Sequence, residues 1–308
     1  MIDKWVRFWF APASPANLGL SRVMFFGGML AMYAREDFSA WGSVSDAFWL
    51  PIPLFTALHL EPLAPQALSA LHAIWILALA LSAIGLVAGA GMAVSFLLGV
   101  YLLGLPHNFG QTYHFDALLV LAMGILACSR AGDAWSVDAW LKGRSDVQPS
   151  GEYTWPVRAI WVAMSLVFFA AGLAKLRYGG LEWITSNNMS ILLTRAFYHA
   201  SDADPLTRAG LAIARRHWLS SALAASTVAI ELGFPLALVS RRARMLFVPA
   251  AFCMLVGIRV LMGPTFGGFL LATVFWIPWE RIAVRVDLRR SVRRSAPASP
   301  AVIDDWPD

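Results

Sequence analysis

The sequence predicts an all-α, polytopic membrane protein. Hydrophobic residues make up 58% of its 308 residues and charged residues only 14%, a balance far from that of soluble domains. The segment from Pro62 to Phe115 contains no Asp, Glu, Lys or Arg. As one straight helix it would extend on the order of 80 Å, more than twice the thickness of a hydrocarbon core, so it must fold back at least once.

The apolar windows of the chain predict a transmembrane helix bundle of about eight spans. These windows cover residues 18–34, 68–88, 92–106, 115–129, 156–176, 218–239, 245–262 and 266–280. We expect the hairpin between the second and third spans at Gly89-Ala90-Gly91, because glycine relaxes the restriction that keeps a helix going. Segment 46–60 is apolar but short and interrupted by proline, which predicts an interfacial or re-entrant segment.

The distribution of basic residues predicts that both termini are cytoplasmic. Short basic segments precede the first span and follow the fourth, sixth and eighth, which all lie on one side of the membrane. The segment 177–217 also carries arginines, but long loops follow this rule poorly. Residues 1–14 are predicted to form an amphipathic interfacial helix, and residues 283–308 a basic and then disordered tail. The net charge of +5 therefore mostly reflects the basic residues that orient the spans in the membrane, and it gives little support to nucleic acid binding.

The two cysteines of the chain, Cys128 and Cys253, fall inside different predicted spans and are far apart in sequence. This placement favours buried free thiols over a disulfide or a pair of metal ligands. No metal site is predicted.

Lys175 is the strongest candidate for a functional residue, because it lies near the end of an apolar helix long enough to cross a bilayer. An ammonium at that depth is costly, and burial favours the neutral amine. In the predicted topology Lys175 ends an outward-going span, and His114 begins an inward-going one. We therefore expect both side chains near the extracytoplasmic face, where they are able to share a pocket. The alternative for Lys175 is a snorkelling side chain at the interface.

Four sequence motifs, in the same order, carry a resemblance to a known family. They are Pro15 to Gly27 with Arg22, His114 followed by Trp135-Ser136-Val137-Asp138, Ala171-Gly172-Leu173-Ala174-Lys175-Leu176 followed by Trp183, and Glu231-Leu232-Gly233-Phe234-Pro235. At these residues the chain resembles the vitamin K-dependent gamma-carboxylase family and its bacterial relatives, the horizontally transferred transmembrane (HTTM) domain proteins. The resemblance covers roughly residues 15–280, which places an HTTM-like domain at residues 15–282.

The resemblance implies an enzyme that uses a reduced naphthoquinone of vitamin K or menaquinone type. In the family a lysine deprotonates the quinol, oxygen adds to the resulting anion, and collapse to the epoxide yields a base that removes a glutamyl proton before carbon dioxide is captured. Carried over to this chain, Lys175 would be the catalytic base and His114 its hydrogen-bonding partner. The acceptor would be a peptide or small molecule, and the enzyme would reside in a bacterial cytoplasmic membrane.

Four further residues are candidates for binding the cofactor. Tyr113 stands beside His114, where animal carboxylases carry asparagine, and Trp183 follows the lysine motif. Arg22 lies near the inner end of the first span, where a positive-inside anchor is the alternative. Arg259 lies within the seventh span, where an ion pair with Glu231 would satisfy both charges structurally.

Three classes of function are consistent with this sequence. The enzyme interpretation is a quinol-dependent epoxidase, coupled or not to carboxylation. The second is a quinone- or lipid-binding membrane protein without catalytic activity. The third is a transporter, for which the chain shows neither an inverted repeat nor a matched pair of proline-interrupted spans. The presence of both Lys175 and His114 favours the enzyme.

Overall fold

The computed structural model describes residues 2–110, 115–143, 147–199 and 205–282. Within these ranges the chain is helical and contains no β-strand, apart from one isolated antiparallel bridge between Ala13 and Ser150. The predicted all-α class is therefore confirmed for the described part of the chain.

Each predicted span overlaps one or more helices. In chain order the α-helices are α1 (Ile2–Phe10), α2 (Pro15–Tyr33), α3 (Pro53–Ala57), α4 (Pro65–Ile84), α5 (Ala88–Gly104), α6 (Phe115–Ala127), α7 (Val137–Leu141), α8 (Trp155–Gly179), α9 (Glu182–Thr185), α10 (Asn188–His199), α11 (Pro205–Ala214), α12 (His217–Gly233), α13 (Leu236–Val239), α14 (Arg241–Met262) and α15 (Gly267–Ala272). Short 3₁₀ helices cover Phe38–Ser43, Asp46–Phe48, Leu105–Phe109, Ala131–Asp133, Gly151–Tyr153 and Thr273–Trp276.

Four helical segments of the described chain are long and apolar enough to cross a membrane. They are Pro65–Ile84, Ala88–Phe109, Gly151–Gly179 and Arg241–Met262. The protein is thus a helical membrane protein, while the eight-span count and the cytoplasmic location of both termini stay predictions. The predicted span 218–239 is divided between α12 and α13, because Pro235 has no backbone N–H to continue the hydrogen-bond ladder.

Proline and serine residues define where several helices begin. Proline is the first residue of α2, α3 and α4, where its missing N–H costs nothing and its fixed φ suits the helix. The Ser14 side chain accepts a hydrogen bond from the backbone N–H of Ala16 at 3.2 Å, and Ser240 caps α14 in the same way. The beginnings of these helices are therefore encoded locally.

The hairpin between α4 and α5 lies earlier than predicted. Gly85 ends α4 in the left-handed region (φ 74°), Val87 has φ 49°, and α5 begins at Ala88, so Gly89 and Gly91 lie inside a helix. The prediction of a turn at Gly89-Ala90-Gly91 was wrong, because the amides that begin α5 have a capping partner that is distant in sequence.

That partner is Asp138, which lies on α7 outside the candidate spans. Its carboxylate accepts hydrogen bonds from the backbone N–H groups of Val87 at 2.9 Å and Ala88 at 2.8 Å, while its own N–H donates to the Gly85 carbonyl at 3.0 Å. The hydrogen bond from Ala88, together with that from Val87, holds the pKa of this carboxyl below its ordinary value. The aspartate of the Trp-Ser-Val-Asp motif thus stabilises the hairpin between α4 and α5.

Asp138→Ala is expected to lower the free energy of unfolding by about 2 kcal/mol near neutral pH, because two amides lose a charged acceptor. Since the pKa of Asp138 is lower in the folded protein than its ordinary value of 3.8, its contribution is present above that value and is lost as the pH falls through the folded pKa. Thermal unfolding in detergent between pH 7 and pH 3 tests this. Asp46→Ala, a change at an exposed position, is the control; an equal effect of both variants would contradict the capping role.

The segment predicted as interfacial or re-entrant, 46–60, forms a 3₁₀ turn and the short helix α3. The buried side chain of Asn108 holds it, because its Oδ1 accepts from the Ile52 N–H at 2.8 Å and its backbone carbonyl accepts from the Leu50 N–H at 2.7 Å. Leu50 and Leu58 are exposed while Phe55 is buried, which gives the segment one apolar outer face. Its interfacial location stays a prediction.

The first helix, α1, has no buried residue and exposes Ile2, Trp5, Val6 and Phe10. An exposed apolar face of this kind suits a helix that lies on a membrane. Cys128 and Cys253 are free, but both are exposed, so the prediction of buried thiols was wrong. A cysteine inside an apolar window is as compatible with the outer face of a membrane helix as with its core, since lipid is apolar too.

Candidate functional site

A lysine–glutamate pair joins helices α8 and α12. The Nζ atom of Lys175 donates to both carboxylate oxygens of Glu231, at 2.7 Å and 2.8 Å. The side chain of Glu231 is 8% exposed and that of Lys175 is 21% exposed. Removing either charge alone would leave the other in a setting with little water, so the two residues form one electrostatic unit.

Gly172 allows the two helices to approach closely enough for this pair. It lies one turn before Lys175 on the face of α8 that contacts α12, and it is buried. A Cβ atom at this position would lie 2.9 Å from the Cβ of Glu231 and 3.0 Å from the Cγ of Leu232. The Ala-Gly-x-x-Lys spacing therefore encodes both the contact between helices and the charge that the contact buries.

Trp183 completes the site from α9. The centroid of its ring lies 5.7 Å from the Nζ of Lys175, within the range of a cation–π interaction. Gly180 ends α8 with φ 56° and ψ −151°, a conformation that glycine adopts readily, and the chain then turns back to place α9 beside α8. The Nε1 atom of Trp183 is buried and finds no hydrogen-bond acceptor among the described residues. An indole N–H in this situation is able to donate to a ligand.

Aromatic side chains occupy the interior beyond the pair. Phe168, on α8, stacks on Phe234 with ring centroids 4.6 Å apart, and Phe234 in turn contacts Trp276 at 5.5 Å. Trp276 stacks on Trp161 at 4.4 Å. Lys175 lies 14 residues after Trp161, which corresponds to about 21 Å of rise along α8. The pair is thus far from the end of α8 where Trp161 lies.

His114 and Tyr113 lie outside the described residues, so their distance from Lys175 is a prediction still. The nearest described side chain along the chain is Asp116 on α6, whose Oδ1 accepts a hydrogen bond from the Tyr33 hydroxyl at 2.6 Å. Tyr33 also lies against Trp75 with ring centroids 5.3 Å apart. A polar pair with aromatic neighbours therefore lies at the beginning of α6.

Arg22 is fully buried and binds backbone carbonyls. Its guanidinium donates to the carbonyl oxygens of Ser82, of Ala83 at 3.1 Å, of Ala131 at 3.1 Å and of Trp135 at 2.5 Å. These carbonyls belong to the end of α4 and to the segment between α6 and α7. The described contacts support a structural role, and the proposed contact with a ligand stays a prediction without support from them.

Arg259 does not pair with Glu231, so that expectation was wrong. Its Nη1 donates to the carbonyl of Gly263 at 3.1 Å near the end of its own helix, and the residue is exposed. A position inside an apolar window does not specify which face of the helix a side chain occupies, and here the Arg259 side chain is exposed. The carboxylate of Glu231 is occupied by Lys175 instead.

The described residues contain no group of three or more His, Cys, Asp or Glu side chains that could hold a metal ion. The titratable side chains in contact with each other at this site are Lys175 and Glu231, and Trp183 contributes an indole ring beside them.

These features define a helical membrane protein with a buried acid–base pair between two of its helices. The model of the HTTM domain family matches residues 10–274, so the chain belongs to this family, and the resemblance drawn from the four motifs is confirmed. No match was found among curated proteins or among solved structures.

Glu231 is the site residue whose observed partner the sequence analysis did not consider, because it named Arg259 as the alternative partner and Lys175 as a free base. The residue itself was visible as a carboxylate within an apolar window and as the first residue of the fourth motif. A charged residue inside an apolar window needs a partner, but the sequence does not specify which of the other helices supplies it.

Proposed function

We propose that this HTTM domain protein is an integral membrane enzyme that acts on a reduced naphthoquinone of vitamin K or menaquinone type, with Lys175 and Glu231 as its acid–base unit. The observation that carries this proposal is the Lys175–Glu231 pair beside the buried N–H of Trp183. When bound, the quinol would supply the electrons with which oxygen forms the epoxide.

The pair explains how a lysine so close to a carboxylate acts as a base. In the proposed reactive state the shared proton lies on Glu231, so that Lys175 is a neutral amine and Glu231 a neutral acid. The Nζ atom then accepts the proton of a substrate hydroxyl and becomes an ammonium beside the neutral acid. Glu231 thus holds the proton that would otherwise occupy the lysine.

The indole N–H of Trp183 is the group that would bind an oxygen atom of the quinol. This N–H is buried and has no acceptor within the described part of the chain, and the centroid of its ring lies 5.7 Å from the Nζ of Lys175, so we propose that an oxygen of the bound quinol accepts this hydrogen bond. A donor directed at an oxygen that loses its proton stabilises the charge that develops there. His114 is proposed as a second hydrogen-bonding group, and Tyr113 as a neighbour of the bound ring.

The proposed setting is a bacterial cytoplasmic membrane, with the site toward its extracytoplasmic side. In support, Lys175 lies about 21 Å of helical rise from Trp161, and the guanidiniums of Arg158 and Arg244 lie against that tryptophan at 4.3 Å. Basic residues concentrate at the cytoplasmic ends of membrane helices. Membrane lipids and a peptide or small-molecule acceptor are the proposed partners, and carbon dioxide a proposed co-substrate.

A second function has one observation in its favour. The bidentate contact of Lys175 with Glu231 satisfies both charges without a ligand. A protein that binds quinone or lipid without chemistry would need no more than this. Enzyme and binding protein differ in turnover, so one assay distinguishes them.

The purified protein in detergent is incubated with reduced menaquinone or reduced vitamin K, oxygen and labelled bicarbonate. We expect quinone epoxide to form, and to be absent under anaerobic conditions and with the oxidised quinone. Label in an added glutamyl peptide supports coupled carboxylation, whereas epoxide without label supports epoxidation alone. A folded protein that retains quinone but forms neither product contradicts the enzyme and supports the binding protein.

A further inference from the structure

A cavity lies at the opposite end of α8 from Lys175. It has a volume of about 540 Å³ and lies where the beginning of α14 meets the chain that follows the 3₁₀ helix Thr273–Trp276. Its charged lining residues are Arg241, Arg244, Arg281 and Glu280. Three guanidiniums against one carboxylate give this cavity an excess of positive charge.

The arginines around this cavity have no carboxylate partner among residues 2–110, 115–143, 147–199 and 205–282. The salt bridges found within those ranges are Arg130–Asp133 and Lys175–Glu231. Arg244 donates to the backbone carbonyl of Ala237 at 3.0 Å, which leaves most of its N–H groups free. Guanidiniums that line one cavity in excess over carboxylates favour an anion between them.

Two stacked tryptophans hold the guanidinium of Arg244 in place. The rings of Trp161 and Trp276 are parallel, with centroids 4.4 Å apart, and Arg244 lies 4.3 Å from the first and 5.9 Å from the second. Trp161 donates to the Phe275 carbonyl at 2.8 Å, and Trp276 donates to the sulfur of Met164 at 3.1 Å. Because both indoles are hydrogen-bonded within the protein, the arginine is preorganised before any ligand binds.

The other side of the cavity is apolar. Met245, Val248 and Pro249 line it from α14, a helix long and apolar enough to cross the membrane, and Met245 is 62% exposed. A ligand for this cavity therefore combines an anionic group with an apolar part. A phospholipid at the membrane surface has both, and tryptophan is enriched at the same level of a bilayer.

We propose that this cavity binds the phosphate of an anionic glycerophospholipid, with Arg241, Arg244 and Arg281 as its ligands. The planar guanidinium presents two parallel N–H donors that match two phosphate oxygens. Basic pockets between membrane helices bind anionic headgroups by the same chemistry. This proposal is independent of the quinol chemistry at Lys175, because it involves the other end of α8.

Binding of phosphatidylglycerol to the delipidated protein in detergent tests the proposal, measured by native mass spectrometry and by the shift in Tm. We expect it to bind and raise Tm, while phosphatidylcholine, which has the same phosphate but no net charge, does so at least about tenfold more weakly. Inorganic phosphate and glycerol 3-phosphate test whether a soluble phosphate binds this cavity as the lipid does, and we expect neither to reproduce the shift in Tm. A full shift with either soluble anion would overturn the assignment to a lipid.

The variants distinguish this site from general attraction of lipid to a basic surface. The double variant Arg241→Gln/Arg281→Gln is expected to bind phosphatidylglycerol at least about tenfold more weakly than the parent. Arg242→Gln is the matched control, because Arg242 is an exposed neighbour that does not line the cavity. The double variant leaves the contacts of Arg244 with Trp161 and Trp276 in place. Arg244→Gln removes these contacts and tests the third proposed ligand separately. Equal binding by the parent, the double variant and Arg242→Gln would overturn the proposal.

Discussion

Lys175→Met is expected to form quinone epoxide at least about 100-fold more slowly than the parent protein, because the substrate hydroxyl loses the amine that accepts its proton. The measurement is the initial rate of epoxide formation with reduced menaquinone and oxygen. Lys142→Met is the control, since Lys142 is an exposed lysine outside the site. We expect the control to retain the parent rate.

A second variant separates the base from the structural pair. Lys175→Met alone leaves the carboxylate of Glu231 buried without a partner, which would destabilise the fold by about 3–5 kcal/mol or force Glu231 to take up a proton. The double variant Lys175→Met/Glu231→Gln removes both charges and is expected to recover most of that stability. It is not expected to recover epoxide formation. A double variant that folds and turns over at the parent rate would eliminate Lys175 as the base.

The helices could be predicted from the sequence, and Lys175 could be selected as a candidate residue, because both conclusions rest on local properties. The apolar windows correspond to α2, α4, α5, α6 and α8 within a few residues of their observed ends. Lys175 is prominent because a charge inside such a window is rare. The contact at Gly172 could also be predicted locally, because small residues permit close helix packing in membranes.

Contacts between distant segments could not be predicted in the same way. The N–H groups that begin α5 are capped by Asp138, about 50 residues later, and this contact moves the hairpin from Gly89 to Gly85. The choice of Lys175 over Arg259 as the partner of Glu231 depends on how α8, α12 and α14 are rotated about their axes. Neither composition nor periodicity specifies these rotations, because lipid and protein core are both apolar.

The two ends of α8 differ in how the charges beside them are compensated. At one end a buried acid and a partly buried base neutralise each other, and the indole N–H of Trp183, which has no acceptor among the described residues, belongs to a ring beside them. At the other end the guanidiniums of Arg158 and Arg244 each lie 4.3 Å from the ring centroid of Trp161, and neither forms a salt bridge within the described part of the chain. The first arrangement suits a neutral substrate that gives up a proton, and the second suits an anion that is already charged.

Arg22→Met is expected to lower the free energy of unfolding by more than about 4 kcal/mol, because four backbone carbonyls lose their donor inside the fold. The guanidinium of Arg22 is the group that joins α2 to the end of α4 and to the segment before α7. Methionine retains much of the volume and the flexibility of the arginine stem, so the loss reports on hydrogen bonds more than on packing. The measurement is the thermal or denaturant unfolding of the purified protein in detergent.

Two comparisons make the role of Arg22 specific. Arg22→Lys keeps the charge but offers one nitrogen in place of a planar fork, so it is expected to recover only part of the stability. Arg130→Met removes an arginine whose side chain is 54% exposed and paired with Asp133, and it is expected to cost less than about 1 kcal/mol. If Arg22→Met unfolded like Arg130→Met, the carbonyls around Arg22 would have other donors, and Arg22 would not hold α2 to the end of α4 and to the segment before α7. If instead only quinone binding were weakened while stability stayed at the parent value, Arg22 would be a ligand-binding residue, as its place in the first family motif predicted.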